Sequence, residues 1–345
     1  MRAAFLTRTK QFEIREVPDP KILKDTDVLI RIKTVGVCGS DIHYYNAGRI
    51  GSQIVQFPFI IGHEAAGTVE RTGSKVARVN PGQRIAIDPA VSCGLCDQCK
   101  SGRENTCRKL LFLGCPKQLE GCLCDYIVLH EKCCYPIRES MTFEQATLSE
   151  PLAIGVYSIE RSMLPGNANV AILGVGPIGM SVFNVLRTQH VGDVYVTDKI
   201  GERLAFTKQL NPTWCGNPDR TDIVKEISRL EPLLLDVVYE CSGDTEAIGQ
   251  AIQLLKPGGM LVLVGIAETD EVSFPMHDLR RKEITITNIR RQVHCTQKAI
   301  DLLARRQVNM DSMVTHHFRL EETQEAFDLV ADYRDGVMKA MISID

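Results

Sequence analysis

The chain has 345 residues, 44% of them hydrophobic and 24% charged, with a formal net charge of −3 at pH 7. That length exceeds one ordinary hydrophobic core and predicts two domains, while the near-neutral charge gives no electrostatic case for nucleic acid or for an anionic membrane. Thirteen cysteines, an odd number, argue against a disulfide framework and for a reducing cytoplasm.

The first residues, Met1-Arg2-Ala3-Ala4-Phe5-Leu6-Thr7-Arg8, lack the apolar core of a secretory leader. From there to about Ser140 the pattern is one of short alternating strands. Phe12–Val17 alternates and is broken by Pro18 and Pro20; Val28–Val35 and Ala65–Arg71 follow; Asn80-Pro81-Gly82-Gln83 is a turn leading into Arg84–Ile87. Such spacing predicts an all-β, barrel-like domain. At about Pro151 the period changes. The apolar run Val170–Leu173, a glycine-rich turn and a helical stretch to Gln189 open a series of alternating strands and helices. Strands are expected at 194–197, 235–239, 261–264 and 284–288, and helices at 202–210, 222–230 and 246–255. This alternation predicts βαβ units and a parallel sheet. Two amphipathic helices at 298–306 and 321–333 follow, and a last strand at 338–344 is expected to return to the first domain. The uncharged stretch around 170–186 is broken by glycines, Pro177 and Asn184, so it reads as a buried strand and helix and not as a membrane span.

Three groups of residues carry chemistry. The first is Cys93-Gly94-Leu95-Cys96-Asp97-Gln98-Cys99, closed by Cys107. Four thiolates in so short a segment can converge on one tetrahedral Zn2+, and with no coordination position left open such a metal is structural. The competing readings are unconnected cysteines or a redox pair, but two overlapping C-x-x-C turns and a fourth cysteine favour zinc.

The second is Gly174-Val175-Gly176-Pro177-Ile178-Gly179, which follows an apolar strand and opens a helix, the context a dinucleotide loop requires. Gly174 would make the tight turn, Gly176 would admit the pyrophosphate, and Gly179 would allow close packing of helix on strand. Asp198, 19 residues further on, would accept hydrogen bonds from the ribose hydroxyls and repel a 2′-phosphate, favouring NAD over NADP. Lys199 and Arg203 beside it pull the other way.

The third is dispersed: Cys38, His63, Glu64 and Glu150. Taken singly, a lone cysteine is usually core and a lone glutamate usually solvated. As a set they suit Zn2+, and three protein ligands would leave a position for water or substrate.

These segments together resemble the zinc-dependent medium-chain dehydrogenases. The resemblance spans nearly the whole chain and rests on Gly36-Val37-Cys38-Gly39-Ser40-Asp41, Gly62-His63-Glu64-Ala65-Ala66-Gly67, the four-cysteine lobe, Glu150-Pro151 and the Gly174–Gly179 loop. The string His43-Tyr44-Tyr45 followed by Gly48-Arg49-Ile50-Gly51 is similar to the polyol branch, the sorbitol and xylitol dehydrogenases.

The resemblance implies an α/β protein. A GroES-like β-barrel catalytic domain would comprise 1–152 and 287–345, with the structural zinc lobe at about 90–110. A doubly wound Rossmann domain would comprise 153–286, with the active site in the cleft between the two. Cys38 and His63 would be zinc ligands, Glu64 the third, directly or through water, and Glu150 a nearby carboxylate exchanging with water on the metal. Ser40 would take the alcohol proton and His43 pass it on. Tyr44 and Arg290 would contact the substrate, and Arg203 and Val264 would join the loop residues in binding NAD. A homodimer or homotetramer is the family expectation.

Two departures stand out. Ile289-Arg290-Arg291 replaces a segment that reads roughly Phe-Arg-Tyr in sorbitol dehydrogenases, so Arg291 signals an acidic, phosphorylated or differently shaped hydroxylated substrate, or else a surface or subunit-contact position. If the strand continues that far, alternation sets Arg290 toward the cleft and Arg291 away; if the chain turns after Asn288, both could reach the substrate. Asn211-Pro212 replaces the family's usual Gly-Ala at the third Rossmann strand. The activity expected is oxidation of a secondary hydroxyl to a ketone with NAD. The rivals are a sugar acid, inositol, phosphorylated polyol or threonine as substrate, a zinc-free quinone reductase, and a catalytically silent NAD-binding regulator. The eight remaining cysteines, Cys115, Cys122, Cys124, Cys133, Cys134, Cys215, Cys241 and Cys295, are expected to be small core residues.

Overall fold

A computed structural model describes residues 1–345. The chain divides into two compact units, one of Met1–Glu150 with Thr296–Asp345, the other of Pro151–Cys295.

The first unit is built on a seven-stranded sheet. Its order is Cys134–Pro136, Arg84–Ile87, Glu64–Thr72, Asp27–Gly36, Lys339–Ser343, Val314–Arg319, with Tyr126–His130 also paired to Asp27–Gly36. The long strand Asp27–Gly36 is the hub because alternation gives it an inward face: Ile30 and Ile32 are fully buried while Arg31 is exposed. Against that face pack Leu6, Ile61, Ile85, Ile87 and Ile127. The C-terminal strand does return to this unit, antiparallel to Asp27–Gly36 through Met341↔Gly36. The strand Val314–Arg319, parallel to it, was not expected from the sequence. Its residues alternate only between half-buried and exposed, with two histidines, so no apolar signal marks it.

The second unit is a six-stranded, wholly parallel sheet in the order Trp214–Gly216, Val191–Thr197, Ala168–Leu173, Leu235–Glu240, Leu255–Leu263, Thr285–Asn288. Numbered along the chain that order is 3-2-1-4-5-6, the doubly wound dinucleotide-binding arrangement. Val170, Ala171, Ile172 and Leu173 are all at most 1% exposed. A strand covered on both faces reads as a continuous apolar run for that reason. The expected helices form at Pro177–Leu186, Gly201–Lys208, Ile223–Leu230 and Thr245–Leu254. Asp222 and Asp244 cap the last two by accepting N–H bonds from Lys225 and Glu246. Asn211, at φ 55°, sits in the loop before Trp214–Gly216, so Asn211-Pro212 alters a connection. No helix is long and apolar enough to cross a membrane.

Of the eight cysteines without an assigned role, six are buried; Cys215 and Cys241 are only partly so.

Candidate active site

The helix Gly39–Ala47 carries Ser40, His43 and Tyr44. Cys38 is its N-cap residue, in extended conformation, and Gly48 ends it in the left-handed region at φ 67°. Glycine costs least there. Asp41, in the first turn, holds the corner together: Oδ2 accepts the Cys38 N–H at 3.3 Å, and Oδ1 lies 3.1 Å from His63 Nδ1. Asp41 is wholly buried. With Nδ1 engaged by a carboxylate, Nε2 is the nitrogen left to bind a metal. Burial alone would lower the pKa of the His63 imidazole. The neighbouring Asp41 carboxylate and Cys38 sulfur outweigh it and carry the pKa well above the usual value.

Cys38 Sγ, a His63 ring nitrogen and a Glu64 carboxylate oxygen all lie within 4.8 Å of one another. One thiolate, one imidazole and one carboxylate form a donor set suited to zinc, with a fourth position open. Glu150 is not in that cluster. It sits in the helix Ser149–Arg161, 9% exposed, with its pKa pushed up to about 7. Burial is the largest cause, the Glu64 and Asp88 carboxylates add to it, and His63 and Lys339 work against it. Ser40 Oγ donates to Cys38 Sγ at 3.4 Å. His43 is three residues further along the same helix, close to one turn away. The Tyr44 ring is buried; its hydroxyl donates to Gln53 Oε1 at 3.1 Å and lies 3.8 Å from Cys115 Sγ. The Phe112 ring packs 5.4 Å from that of His63.

Sequence reasoning missed Lys339. Its ammonium group, on a side chain 1% exposed, bonds both oxygens of Glu64. Burial opposes the charged amine, but Glu64 first, then Cys38 and Glu150, hold its pKa above the ordinary lysine value. Removing one partner of a buried pair of this kind costs about 3–5 kcal/mol. The available signal was a lysine inside an otherwise apolar strand, Met338-Lys339-Ala340-Met341-Ile342.

The lobe at 93–107 brings its four sulfurs together. Cys93–Cys99, Cys96–Cys99 and Cys96–Cys107 sulfur separations are 3.9, 3.6 and 3.9 Å. A tetrahedron with Zn–S of about 2.3 Å has edges of about 3.8 Å, so the spacing fits the ion. Backbone N–H groups of Cys93 and Lys109 point at Cys107 Sγ. The backbone N–H of Cys99, then that of Arg108, lowers the Cys96 pKa to about 6, whereas burial, then the Cys107 and Cys96 sulfurs, push that of Cys99 up to about 12, so without an ion the four sulfurs do not all ionise.

In the second unit, Gly174 turns the chain at φ 90°, where a side chain would also press on Ser242. Gly176 caps the helix Pro177–Leu186, with Pro177 in its first turn and Ile178 next. A Cβ on Gly179 would collide with the Gly174 carbonyl. Asp198, 8% exposed, accepts the Val175 N–H through Oδ2 and the Ile200 N–H through Oδ1, both at 2.8 Å. Lys199 is drawn away to Asp244 at 2.7 Å. The Arg203 guanidinium lies against Gly176, 3.0 Å from where a Cβ there would stand. Val264 follows the strand Leu255–Leu263 and donates its N–H to the Glu240 carbonyl. Glu240, also missed, ties down the neighbouring turn through the N–H groups of Ser242 and Gly243. The strand Thr285–Asn288 ends before Arg290, which is exposed, and Arg291 is half-buried at φ 54°. Strand alternation therefore does not set these two arginines on opposite faces.

The model of the alcohol dehydrogenase GroES-like domain matches residues 24–139, and that of the zinc-binding dehydrogenases matches residues 177–305. A sorbitol dehydrogenase of Bacillus subtilis (strain 168) is 34% identical over 343 residues, covering 99% of this chain and 97% of its own. A zinc-binding dehydrogenase of Sinorhizobium meliloti 1021, solved with NADP, superposes with a TM-score of 0.90 at 27% identity, over 99% of this chain and 98% of that one. An alcohol dehydrogenase of Escherichia coli CFT073, solved with NADH, gives 0.91 at 26% identity, over 99% of each chain.

Proposed function

The chain belongs to the zinc-dependent medium-chain dehydrogenases, and from that footing we propose that it oxidises a secondary hydroxyl of a polyol or sugar-like compound to a ketone, using NAD. The observation that carries this reading is the buried convergence of Cys38, His63 and Glu64, with Ser40 hydrogen-bonded to Cys38 and His43 on the same helix. When bound, zinc would supply Lewis acidity that eases ionisation of the alcohol, and the nicotinamide would take the hydride.

The chain's own residues do the rest. Cys38, His63 and Glu64 would hold the metal of this site, with Glu150 close by, and Cys93, Cys96, Cys99 and Cys107 a second, structural ion. Ser40 Oγ would accept the hydroxyl proton and His43 would pass it toward solvent. Tyr44 would bound the substrate, and Arg290 would hydrogen-bond its hydroxyls. Gly174, Gly176, Pro177, Ile178 and Gly179 would receive the pyrophosphate at a helix N-terminus, with Arg203 beside it. Asp198 favours NAD because a 2′-phosphate would meet a buried carboxylate whose nearest lysine is already paired with Asp244.

The units 1–150 with 296–345 and 151–295 would serve as catalytic and dinucleotide-binding domains. A cytoplasmic homodimer or homotetramer, acting on a small molecule without nucleic acid or membrane, completes the reading. A sugar acid or phosphorylated polyol is the second reading, favoured by the Arg290-Arg291 pair. Initial rates of NADH formation across polyols, cyclitols, sugar acids, sugar phosphates and threonine decide between them. A best substrate bearing a carboxylate or phosphate overturns the neutral-polyol version.

A further inference from the structure

Glu64 is gripped by a buried lysine. Lys339 Nζ donates to Oε1 at 2.9 Å, to Oε2 at 2.7 Å and to the Val37 carbonyl at 3.1 Å. An ammonium has three donors, and all three are spent. The arrangement follows from strand register. Gly36 lies opposite Glu64 on one side and opposite Met341 on the other. Lys339, two residues before Met341, is on the same face. Glu64 and Lys339 therefore reach toward each other across Gly36, and the missing side chain is what lets them meet. A Cβ on Gly36 would overlap Glu64 Oε2.

A carboxylate whose two oxygens each accept a charge-assisted bond is a poorer donor to a cation than a free one. Yet it is oriented, because the Nζ that grips it is itself anchored to Val37, the residue before Cys38. We infer that Lys339 is a positioning residue that holds Glu64 as a weak, displaceable ligand of the Cys38–His63–Glu64 cluster, keeping one coordination position exchangeable for a substrate hydroxyl. The inference rests on the metal site proposed above. It also has a sign that a merely structural role lacks. If Lys339 only braced the fold, its loss would loosen the cluster and the metal would escape faster. If it restrains Glu64, its loss frees a full carboxylate for the metal, which is then held more tightly.

The test is zinc release from the holoenzyme to excess chelator. The phase that disappears in Cys38→Ser belongs to this site. Lys339→Met is expected to slow that phase about tenfold, the scale of outer-shell effects on metal affinity, and to lower turnover. Lys339→Met/Glu64→Gln, which removes the pair together, is expected to release zinc at close to the wild-type rate. With cobalt in place of zinc, the ligand-field absorption of the Cys38 site should weaken in Lys339→Met as Glu64 adds to the coordination shell. Lys339→Gln keeps two N–H donors but no charge and serves if the methionine variant does not fold, with the same direction expected. A folded variant that loses zinc as fast as wild type, or faster, overturns the inference. A wild-type protein with no Cys38-dependent phase overturns the metal reading itself, and the inference with it.

Discussion

Ser40 is the residue on which the proposed proton path turns. Its hydroxyl lies on the Cys38 sulfur, close to the metal cluster but not among the candidate ligands. Ser40→Ala should therefore keep zinc and dinucleotide and lose turnover by about 10²–10⁴-fold. An unchanged kcat, under conditions where the chemical step limits the rate, removes Ser40 from the path. Glu150 makes a separate prediction in the metal-free protein. Its folded pKa is raised from an ordinary 4.5 to about 7, so the folded state binds the extra proton. The stability it contributes is fully present below about pH 4.5 and is lost as pH rises through about 7. Chemical denaturation across that window should show Glu150→Gln gaining stability relative to wild type as pH rises, because the variant lacks this group's downward contribution to the slope. Equal slopes would mean that Glu150 titrates alike in both states.

Two short elements carry predictions of their own. The lobe at 93–107 has little regular structure, a four-residue helix and a single 3-10 turn, and its backbone bonds close local turns, as from the Lys100 N–H to the Cys96 carbonyl and from the Cys107 N–H to the Glu104 carbonyl. An ion on the four sulfurs would tie those turns to one another. Cys93→Ser should cost one zinc per chain by metal analysis and a marked drop in melting temperature, since structural zinc contributes folding energy directly. Full metal content in a normally stable variant would dismiss the assignment. In the dinucleotide loop Asp198 serves two ends, because its oxygens hold the loop's own N–H groups at Val175 and Ile200. Asp198→Ala leaves two donors without that acceptor, at about 1–3 kcal/mol each where buried. Asp198→Asn retains one acceptor and removes the charge. It should shift the ratio of kcat/KM for NAD and NADP toward NADP with the smaller loss of stability. An unchanged ratio would make Asp198 a strut of the loop and no more.

For the whole molecule, two separable zinc sites imply a content near two ions per chain, one of them released in the Cys38→Ser protein. The two arginines test the proposed substrate. Arg290→Ala should raise KM for the best polyol, while a neutral polyol gives Arg291 no anion to bind. A larger effect of Arg291→Ala on KM would favour the acidic substrate.

Sequence alone determined the division into a strand-rich part and an alternating α/β part, because period-2 and continuous apolar runs are local signals; the first part is not all-β as expected, since it holds the helix Gly39–Ala47. It also made the cysteine lobe and the glycine loop legible, since their ligands and turns lie within a few residues of one another. Cys38, His63 and Glu64 were legible only as a family pattern, because their convergence depends on how strand and helix pack. Tertiary structure alone decided three things. It set Lys339 on Glu64, a contact across 275 residues made by two strands flanking Gly36. It turned both oxygens of Asp198 onto the backbone. It ended the last parallel strand at Asn288, before Arg290 and Arg291. Each is a matter of register or termination between distant segments, and composition and periodicity along one segment hold no information about the strand that will lie beside it.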